Sequence, residues 1–175
     1  MRAFFAVEVE PAPDPAAVRG PAPRHLTLRF LGEVDDPVVT ELRRRLGPAL
    51  VGRAPFEFEL EGVGAFPSRD HPRVVWQGVG RGREELSDLA RAVRAEVVSA
   101  GLPDDPAPFV AHVTLFRVRS RRDHERAIAL LASGVPIVPT RVVRVEVVHL
   151  KESARTREGV VHRTVASFPL AGVRP

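Results

Sequence analysis

Apolar and polar residues alternate along several short segments of this chain and recur at helical spacing along others. Alternation places every second side chain on one face of a β-strand, whereas apolar residues three and four positions apart form one stripe of a helix. The pattern predicts strands at residues 2–9, 24–32, 56–63, 73–79, 109–118, 140–150 and 159–170. It predicts helices at 37–50, 84–100 and 120–133, and proline-rich connectors at 11–23 and 102–108. The predicted class is therefore α+β.

One polar pattern occurs in a predicted strand of each half of the chain. The two copies are His25-Leu26-Thr27-Leu28 and His112-Val113-Thr114-Leu115. In a strand the His and Thr of each copy share one face, while the apolar residues between them point to the other face and a core. A chain with six histidines contains about 0.2 His-x-Thr tripeptides by chance. The repetition therefore marks these strands as carriers of a polar site.

A third His-x-Thr, His162-Arg163-Thr164-Val165, differs from the other two. It has Arg163 where the others have an apolar residue, and no predicted helix follows it. We interpret it as incidental. The histidines at positions 71, 124 and 149 are expected to be hydrogen-bonded structural residues, and Trp76 is expected in the core rather than against a ligand.

The order of elements also repeats. A His-Thr strand, a helix and two strands occur twice, and His25 and His112 lie 87 residues apart in a chain of 175. Such a repeat predicts an internal duplication. We expect one domain over residues 1–175, made of two lobes related by a rough two-fold axis. Two mostly antiparallel sheets would line a central cleft with helices outside, and His25 and Thr27 would face His112 and Thr114 across it.

Composition narrows the class of protein. Hydrophobic residues make up 44% of the chain and charged residues 27%, which is ordinary for a soluble domain. The absence of cysteine excludes disulfides, zinc–thiolate sites and a thiol nucleophile. The first residues turn acidic too early for a signal peptide, and no apolar run approaches the roughly 20 residues of a membrane-spanning helix. We expect a cytoplasmic monomer that does not contact a membrane.

The positive charge is almost all arginine, because Lys151 is the only lysine and the net charge is +4. Guanidinium groups suit phosphate ligands. Compositional bias accounts for the arginines as a group, so only those beside the His-Thr strands are candidates. Arg29 has the strand parity of His25 and is a candidate phosphate contact. Arg117 has the opposite parity to His112 and would reach the cleft only if a β-bulge shifted the register. Phe116 is the third candidate substrate contact.

The sequence predicts no metal or cofactor. The histidines do not fall at zinc-binding spacing, and no pair of acidic residues lies beside the two motifs. No glycine-rich phosphate-binding loop precedes a helix, which argues against ATP-dependent ligation.

The two motifs, with the Arg29-Phe30-Leu31-Gly32 tail of the first, resemble those of the 2H phosphoesterases. Within that group the chain is similar to the bacterial and archaeal RNA 2′,3′-cyclic phosphodiesterases, historically called 2′-5′ RNA ligases. The resemblance also includes four other segments: 2–7, 64–68, 73–76 and 168–170. The chain departs from the family in a short segment before His25, in Phe116 where a small residue is usual, and in Lys151 where an aromatic residue is frequent.

The resemblance implies metal-independent hydrolysis of RNA 2′,3′-cyclic phosphate ends to 2′-phosphomonoesters. It implies that His25 is the proton donor and His112 the proton acceptor, with Thr27 and Thr114 beside them. The chemistry agrees, because the reaction needs an acid, a base and donors to the non-bridging oxygens, and two imidazoles and two hydroxyls supply these near neutral pH. From the residues alone, which histidine is the acid stays open, as do the natural RNA, its base preference and whether ligation occurs.

Two other functions remain open. The same four residues would serve an enzyme for another phosphodiester, such as a 2′-5′ oligonucleotide or an ADP-ribose cyclic phosphate. Alternatively, the chain is an RNA-binding module without turnover, with arginines and Phe30, Phe116 or Trp76 contacting RNA. The intact pair of motifs favours an enzyme, because binding alone does not require both histidines.

Overall fold

The structure is a computed structural model that describes residues 1–9, 24–134, 142–157 and 159–173. The described residues form eight strands and three helices. The strands are β1 (Arg2–Val9), β2 (Arg24–Glu33), β3 (Phe56–Pro67), β4 (Pro72–Val79), β5 (His112–Arg117), β6 (Val142–Val145), β7 (Val147–Thr156) and β8 (Gly159–Pro169). The helices are α1 (Asp36–Val51), α2 (Arg83–Ser99) and α3 (Arg121–Ser133). The predicted connector 11–23 and the start of the predicted strand 140–150 lie outside the described residues.

Local capping sets where α1 and α3 begin. The Asp35 carboxylate accepts a hydrogen bond from the Val38 backbone N–H at 3.1 Å. Ser120 and Asp123 form a reciprocal capping box in which each side chain accepts from the other residue's N–H. The three helices lie within one residue of their predicted bounds. None of the described helices is long and apolar enough to span a membrane.

All strand pairs are antiparallel, and the strands form one sheet in the order β6-β3-β4-β5-β2-β1-β7-β8. The predicted α+β class with antiparallel strands is confirmed. The sequence predicts two sheets, and the structure has one. The two His-Thr strands, β2 and β5, are neighbours at its centre and pair where Leu26 lies opposite Val113. They lie side by side rather than facing each other.

The predicted strand 140–150 is two strands, β6 and β7, which are interrupted at Glu146. β6 pairs with β3 at one edge of the sheet, whereas β7 pairs with β1 near the other edge. The buried positions change parity at the break, from Val143 and Val145 to Val148 and Leu150. In the sequence, however, Val147 continues the alternation of Val143 and Val145 past Glu146, so the pattern alone does not show the break. Since Val145 and Val147 are only two residues apart, the sheet must curve back until its two ends approach each other.

The core lies on one face of the sheet. Residues on that face include Phe5 of β1, Leu26 of β2 and Val113 of β5, each at most 1% exposed. Apolar stripes of α1 and α2 cover them, with Leu42 and Val93 fully buried. This packing covers the core face of β1, β2 and β5, and it leaves the opposite face of β2 and β5 for polar side chains.

Candidate active site

The central strand pair brings the two His-Thr motifs together. Because β2 and β5 run antiparallel about the Leu26–Val113 pair, His25 lies beside Thr114 and Thr27 lies beside His112. All four point away from the core face that holds Leu26 and Val113. The structure therefore places two imidazoles and two hydroxyls on one face, with each kind of residue at diagonal positions.

His112 is held by a hydrogen bond and by two aromatic rings. Its Nδ1 lies 2.7 Å from the Val110 carbonyl oxygen. A carbonyl only accepts, so Nδ1 carries the hydrogen and Nε2 of the neutral ring is free to accept a proton. Phe66 packs edge-on against the imidazole at 5.0 Å between ring centroids, and Trp76 packs at 5.8 Å. Burial lowers the His112 pKa, and the hydrogen bond to Val110 partly opposes that shift.

His25 has a similar packing arrangement with different neighbours. Phe4 packs against its ring at 4.9 Å with a tilt of 39°, and the His162 ring lies edge-on at 4.9 Å. Burial lowers the His25 pKa to about 4, and the nearby charges of His162 and Lys151 act in the same direction. His25 is therefore uncharged near neutral pH when no anion is bound beside it.

Lys151 contributes a nearly buried cation beside His25. Its side chain is 7% exposed, and its Nζ donates to the Glu8 carboxylate and, at 3.2 Å, to the Thr164 hydroxyl. The hydrogen bond from Lys151 lowers the Glu8 pKa, against the effect of burial. In the sheet Glu8 lies opposite His25, so this ion pair is on the face of the candidate site. The sequence marks Lys151 as the single lysine and as a departure from the family, but it assigns neither Lys151 nor Glu8 to the site.

The third His-x-Thr is not incidental in position. His162 contacts His25, and its Nδ1 lies 3.0 Å from the hydroxyl of Ser153 on the adjacent strand. Arg163 points to the opposite face, where it pairs with Glu152 at 3.2 Å. A charged residue is tolerated there because β8 is an edge strand. The same His-x-Thr spacing was the signal that could have identified His162.

A β-bulge in β2 reverses the expected position of Arg29. The register pairs Thr27 with Ala6 and Arg29 with Phe5, so Leu28 is an extra residue. Arg29 therefore lies on the core face with Phe5. Its guanidinium donates to the Pro103 carbonyl at 2.7 Å and forms an ion pair with Asp105 at 2.9 Å. The expectation that Arg29 shares a face with His25 is wrong, because strand parity does not survive the bulge.

An equivalent bulge follows the second motif. The register pairs Trp76 with Thr114 and Val75 with Phe116, which leaves Leu115 as the extra residue. Phe116 thus shares the face of buried Val75, and the Arg126 guanidinium of α3 lies 4.6 Å from its ring centroid. The structure does not bring Phe116 to the histidine face.

The same bulge brings Arg117 to that face. Arg117 pairs with Val74, which has the strand parity of Trp76. This is the β-bulge that Arg117 requires in order to reach the face of His112. Phe30 occupies the corresponding position after the first bulge, where it is 61% exposed and packs at 5.9 Å from Phe4. Each motif is therefore followed by one exposed side chain on the site face.

Acidification should destabilise the fold through His25. In the unfolded chain a histidine titrates near 6.5, so between about pH 6.5 and pH 4 the unfolded state binds more protons than the folded state. Stability is therefore fully present above that window and is lost as the pH falls through it. Between about pH 7.5 and pH 5, we expect the free energy of urea unfolding to fall by about 2 kcal/mol more for the wild type than for His25→Asn. Parallel pH dependences of the two proteins would contradict this prediction.

No group of three or more histidine or acidic side chains in the described ranges is arranged to hold a metal ion.

Comparisons with known proteins identify the family of the chain. A model of the 2′-5′ RNA ligase superfamily matches residues 7–154. An RNA 2′,3′-cyclic phosphodiesterase of Aeropyrum pernix is 40% identical over 141 residues, which cover 81% of this chain and 78% of that protein. One of Methanothermobacter thermautotrophicus is 33% identical over 146 residues, with 83% and 78% covered.

Solved structures are similar over nearly the whole chain. TT0787 of Thermus thermophilus superposes with a TM-score of 0.72 at 25% identity, over 99% of this chain and all of that one. E. coli LigT complexed with 3′-AMP superposes with a TM-score of 0.70 at 25% identity, over 97% of each chain. The family model covers most of the chain, and the Aeropyrum relative well exceeds 30% identity. This chain belongs to the 2′-5′ RNA ligase superfamily.

Proposed function

We propose that the chain is a metal-independent RNA 2′,3′-cyclic phosphodiesterase that converts cyclic phosphate ends to 2′-phosphomonoesters. The observation that carries this proposal is the placement of two His-x-Thr motifs side by side on one face of the sheet. The relatives named RNA 2′,3′-cyclic phosphodiesterase support it. The same site in another member of the superfamily could act on a different phosphodiester, so the substrate itself must be tested.

The diagonal placement of the histidines suits in-line displacement. Diagonal neighbours on antiparallel strands are about 7–8 Å apart, which leaves room for a phosphorus between His25 and His112. An acid on one side and a base on the other is the geometry that in-line attack requires. The two threonines occupy the other diagonal, where their hydroxyls can donate to the non-bridging oxygens.

His112 is the general base in this proposal, because its Nε2 is the free acceptor of a neutral ring. It removes a proton from water, and the water oxygen forms a bond to phosphorus. The bond between phosphorus and the 3′-oxygen breaks, and His25 donates its proton to that oxygen. Thr27 and Thr114 stabilise the charge that develops on the non-bridging oxygens.

His25 must hold a proton to act as the acid, although it is uncharged in the free protein near neutral pH. A cyclic phosphate carries one negative charge, and an anion beside an imidazole favours its protonated form. We therefore propose that His25 takes up its proton together with the substrate. The Lys151 cation offsets part of the negative charge of the bound phosphate, although its Nζ also donates a hydrogen bond to Glu8.

We further propose that the two halves of the sheet act as two lobes of one domain and that a single chain suffices. Both motifs come from one chain, so no second copy is needed to complete the quartet. Arg117 and Phe30 lie at matching places beyond the two motifs. In this proposal Arg117 contacts an RNA phosphate, and Phe30 stacks on a base.

The test is incubation with a 2′,3′-cyclic nucleotide in excess EDTA, with the product isomer identified by phosphorus NMR. We expect the 2′-phosphate. A 3′-phosphate product would be consistent with the two-histidine site, but it would show that the 2′-oxygen is the leaving group. If neither mononucleotides nor oligonucleotides with cyclic phosphate ends turn over, the proposed activity is wrong.

A further inference from the structure

The two imidazoles of the quartet have matching ring environments that differ in one respect. Each is packed by one tilted ring and one edge-on ring. The edge-on ring against His112 is Phe66, at 5.0 Å and 86°, and the edge-on ring against His25 is His162, at 4.9 Å and 81°. One site histidine is therefore packed by a ring that cannot ionise, and the other by a ring that can.

The His162 ring is itself held in place. Its Nδ1 lies 3.0 Å from the Ser153 hydroxyl, and Phe4 packs against it at 5.0 Å with an angle of 82°. Phe4 also packs against His25, so Phe4, His25 and His162 form a cluster of three mutually contacting rings. In that cluster, a shift of the His162 ring would remove the contact that holds the His25 ring in position.

The charges around this cluster make double protonation unfavourable. From β7, Lys151 lies close enough to disfavour positive charge on both His25 and His162. From β5, His112 adds to that effect at His25, and the Glu8 carboxylate of β1 opposes it. The Glu8 carboxylate is engaged by Lys151. His149 of β7 faces Glu8 and Lys151.

We propose that His162 is a positioning residue of the active site, which fixes the His25 ring by edge contact and competes with it for a single proton. This inference rests on the proposed function for its consequence in catalysis. His162 is the more exposed ring of the pair, so it accepts a proton first when the pH falls. A phosphate anion bound beside His25 then favours protonation of His25 over His162. The proton is therefore on the imidazole that donates to the leaving oxygen.

The first test follows the histidine side chains by NMR as the pH is lowered, in the wild type and in His162→Phe. This variant reproduces at His25 the environment that Phe66 provides at His112. We expect the titration midpoint of the His25 imidazole to rise by about 0.5–1 pH unit, because the competing charge of His162 is removed while the ring contact is kept. An unchanged or lower His25 midpoint in His162→Phe would overturn the competition for the proton.

The second test measures kcat and KM on a 2′,3′-cyclic nucleotide. We expect His162→Ala to lower kcat by about tenfold with little change in KM, because the His25 ring loses its support. His162→Phe should restore kcat to within about threefold of the wild type near neutral pH. Full kcat in His162→Ala would overturn the positioning role.

His149→Phe is the matched control. His149 is also a β7–β8 histidine bonded to a serine, with its Nδ1 2.9 Å from the Ser167 hydroxyl, but within the described residues it makes no ring contact with His25. It should change neither the His25 midpoint nor kcat. An effect of His149→Phe equal to that of His162→Phe would overturn the specific pairing. The NMR midpoints need no turnover, so they decide the inference even if the proposed activity fails.

Discussion

His25→Ala and His112→Ala should each lower kcat on a 2′,3′-cyclic nucleotide by at least about 100-fold, the loss expected when a general acid or base is removed. The two rings lie at diagonal positions of the central strand pair, and each is held by aromatic packing. Because the proposed mechanism places them on opposite sides of one phosphorus, the double variant should be little worse than either single variant. Steady-state kinetics in EDTA measure these losses.

The controls separate catalysis from binding and from folding. His124→Ala on the surface of α3 should keep full activity, since His124 is exposed on a helix that does not carry either motif. An RNA-binding titration with the His25→Ala/His112→Ala double variant supplies the other control. If RNA binding survives while the wild type shows no turnover, the chain is an RNA-binding module. If either single variant keeps more than a tenth of the wild-type kcat, that histidine is not the acid or base.

Gly64→Ala should impair both stability and activity. A Cβ at this position would lie 2.2 Å from Cη2 and 2.3 Å from Cζ2 of the Trp76 indole. That indole is packed between Phe66 and His112, so it has to move against both rings. We expect the free energy of unfolding to fall by about 1–3 kcal/mol, as for other overpacked sites. We expect kcat to fall by about tenfold or more, because a small displacement of a catalytic ring is costly.

Gly47→Ala is the matched control, because it makes the same substitution where space is open. Apart from its chain neighbours and the backbone of its own helix, no atom lies within 4 Å of a Cβ at Gly47, which is inside helix α1. Alanine is the better helix former, but Pro48 follows directly and crowds a Cβ on the residue before it, so the two effects oppose and we expect the free energy of unfolding to change by less than about 1 kcal/mol. Urea unfolding and kcat are measured for both variants. Wild-type stability and activity in Gly64→Ala would show that Trp76 does not position His112.

The two bulges show how far strand periodicity extends in this protein. Alternation holds through each His-x-Thr, because Leu26 and Val113 must be buried in the core. Directly after each threonine the register shifts by one residue. The side chains that follow change face, up to a second register shift between Phe30 and Gly32 in β2. This is why Arg29 contacts Asp105 instead of a phosphate site and why Arg117 is on the histidine face.

Strand β8 shows a second limit to what strand patterns in the sequence predict about the site. A core-facing apolar residue was used as a criterion for a site strand, and Arg163 fails it. That criterion applies to central strands such as β2 and β5, whose second face is covered. It does not apply to an edge strand, where Arg163 pairs with Glu152 beside solvent. His162 was therefore missed as a site residue, although its ring contacts His25.

The sequence by itself determined the class of fold, the helices, the two motifs and the family. These follow from short-range chemistry: apolar periodicity, helix caps such as Asp35 and Ser120, and the fixed parity of His and Thr two residues apart. Tertiary structure alone decided that β2 and β5 are neighbours in a single sheet and that His162 and Lys151 join the site. The physical reason is that strand order, register shifts and burial depend on contacts between residues far apart in the chain, which no local pattern encodes.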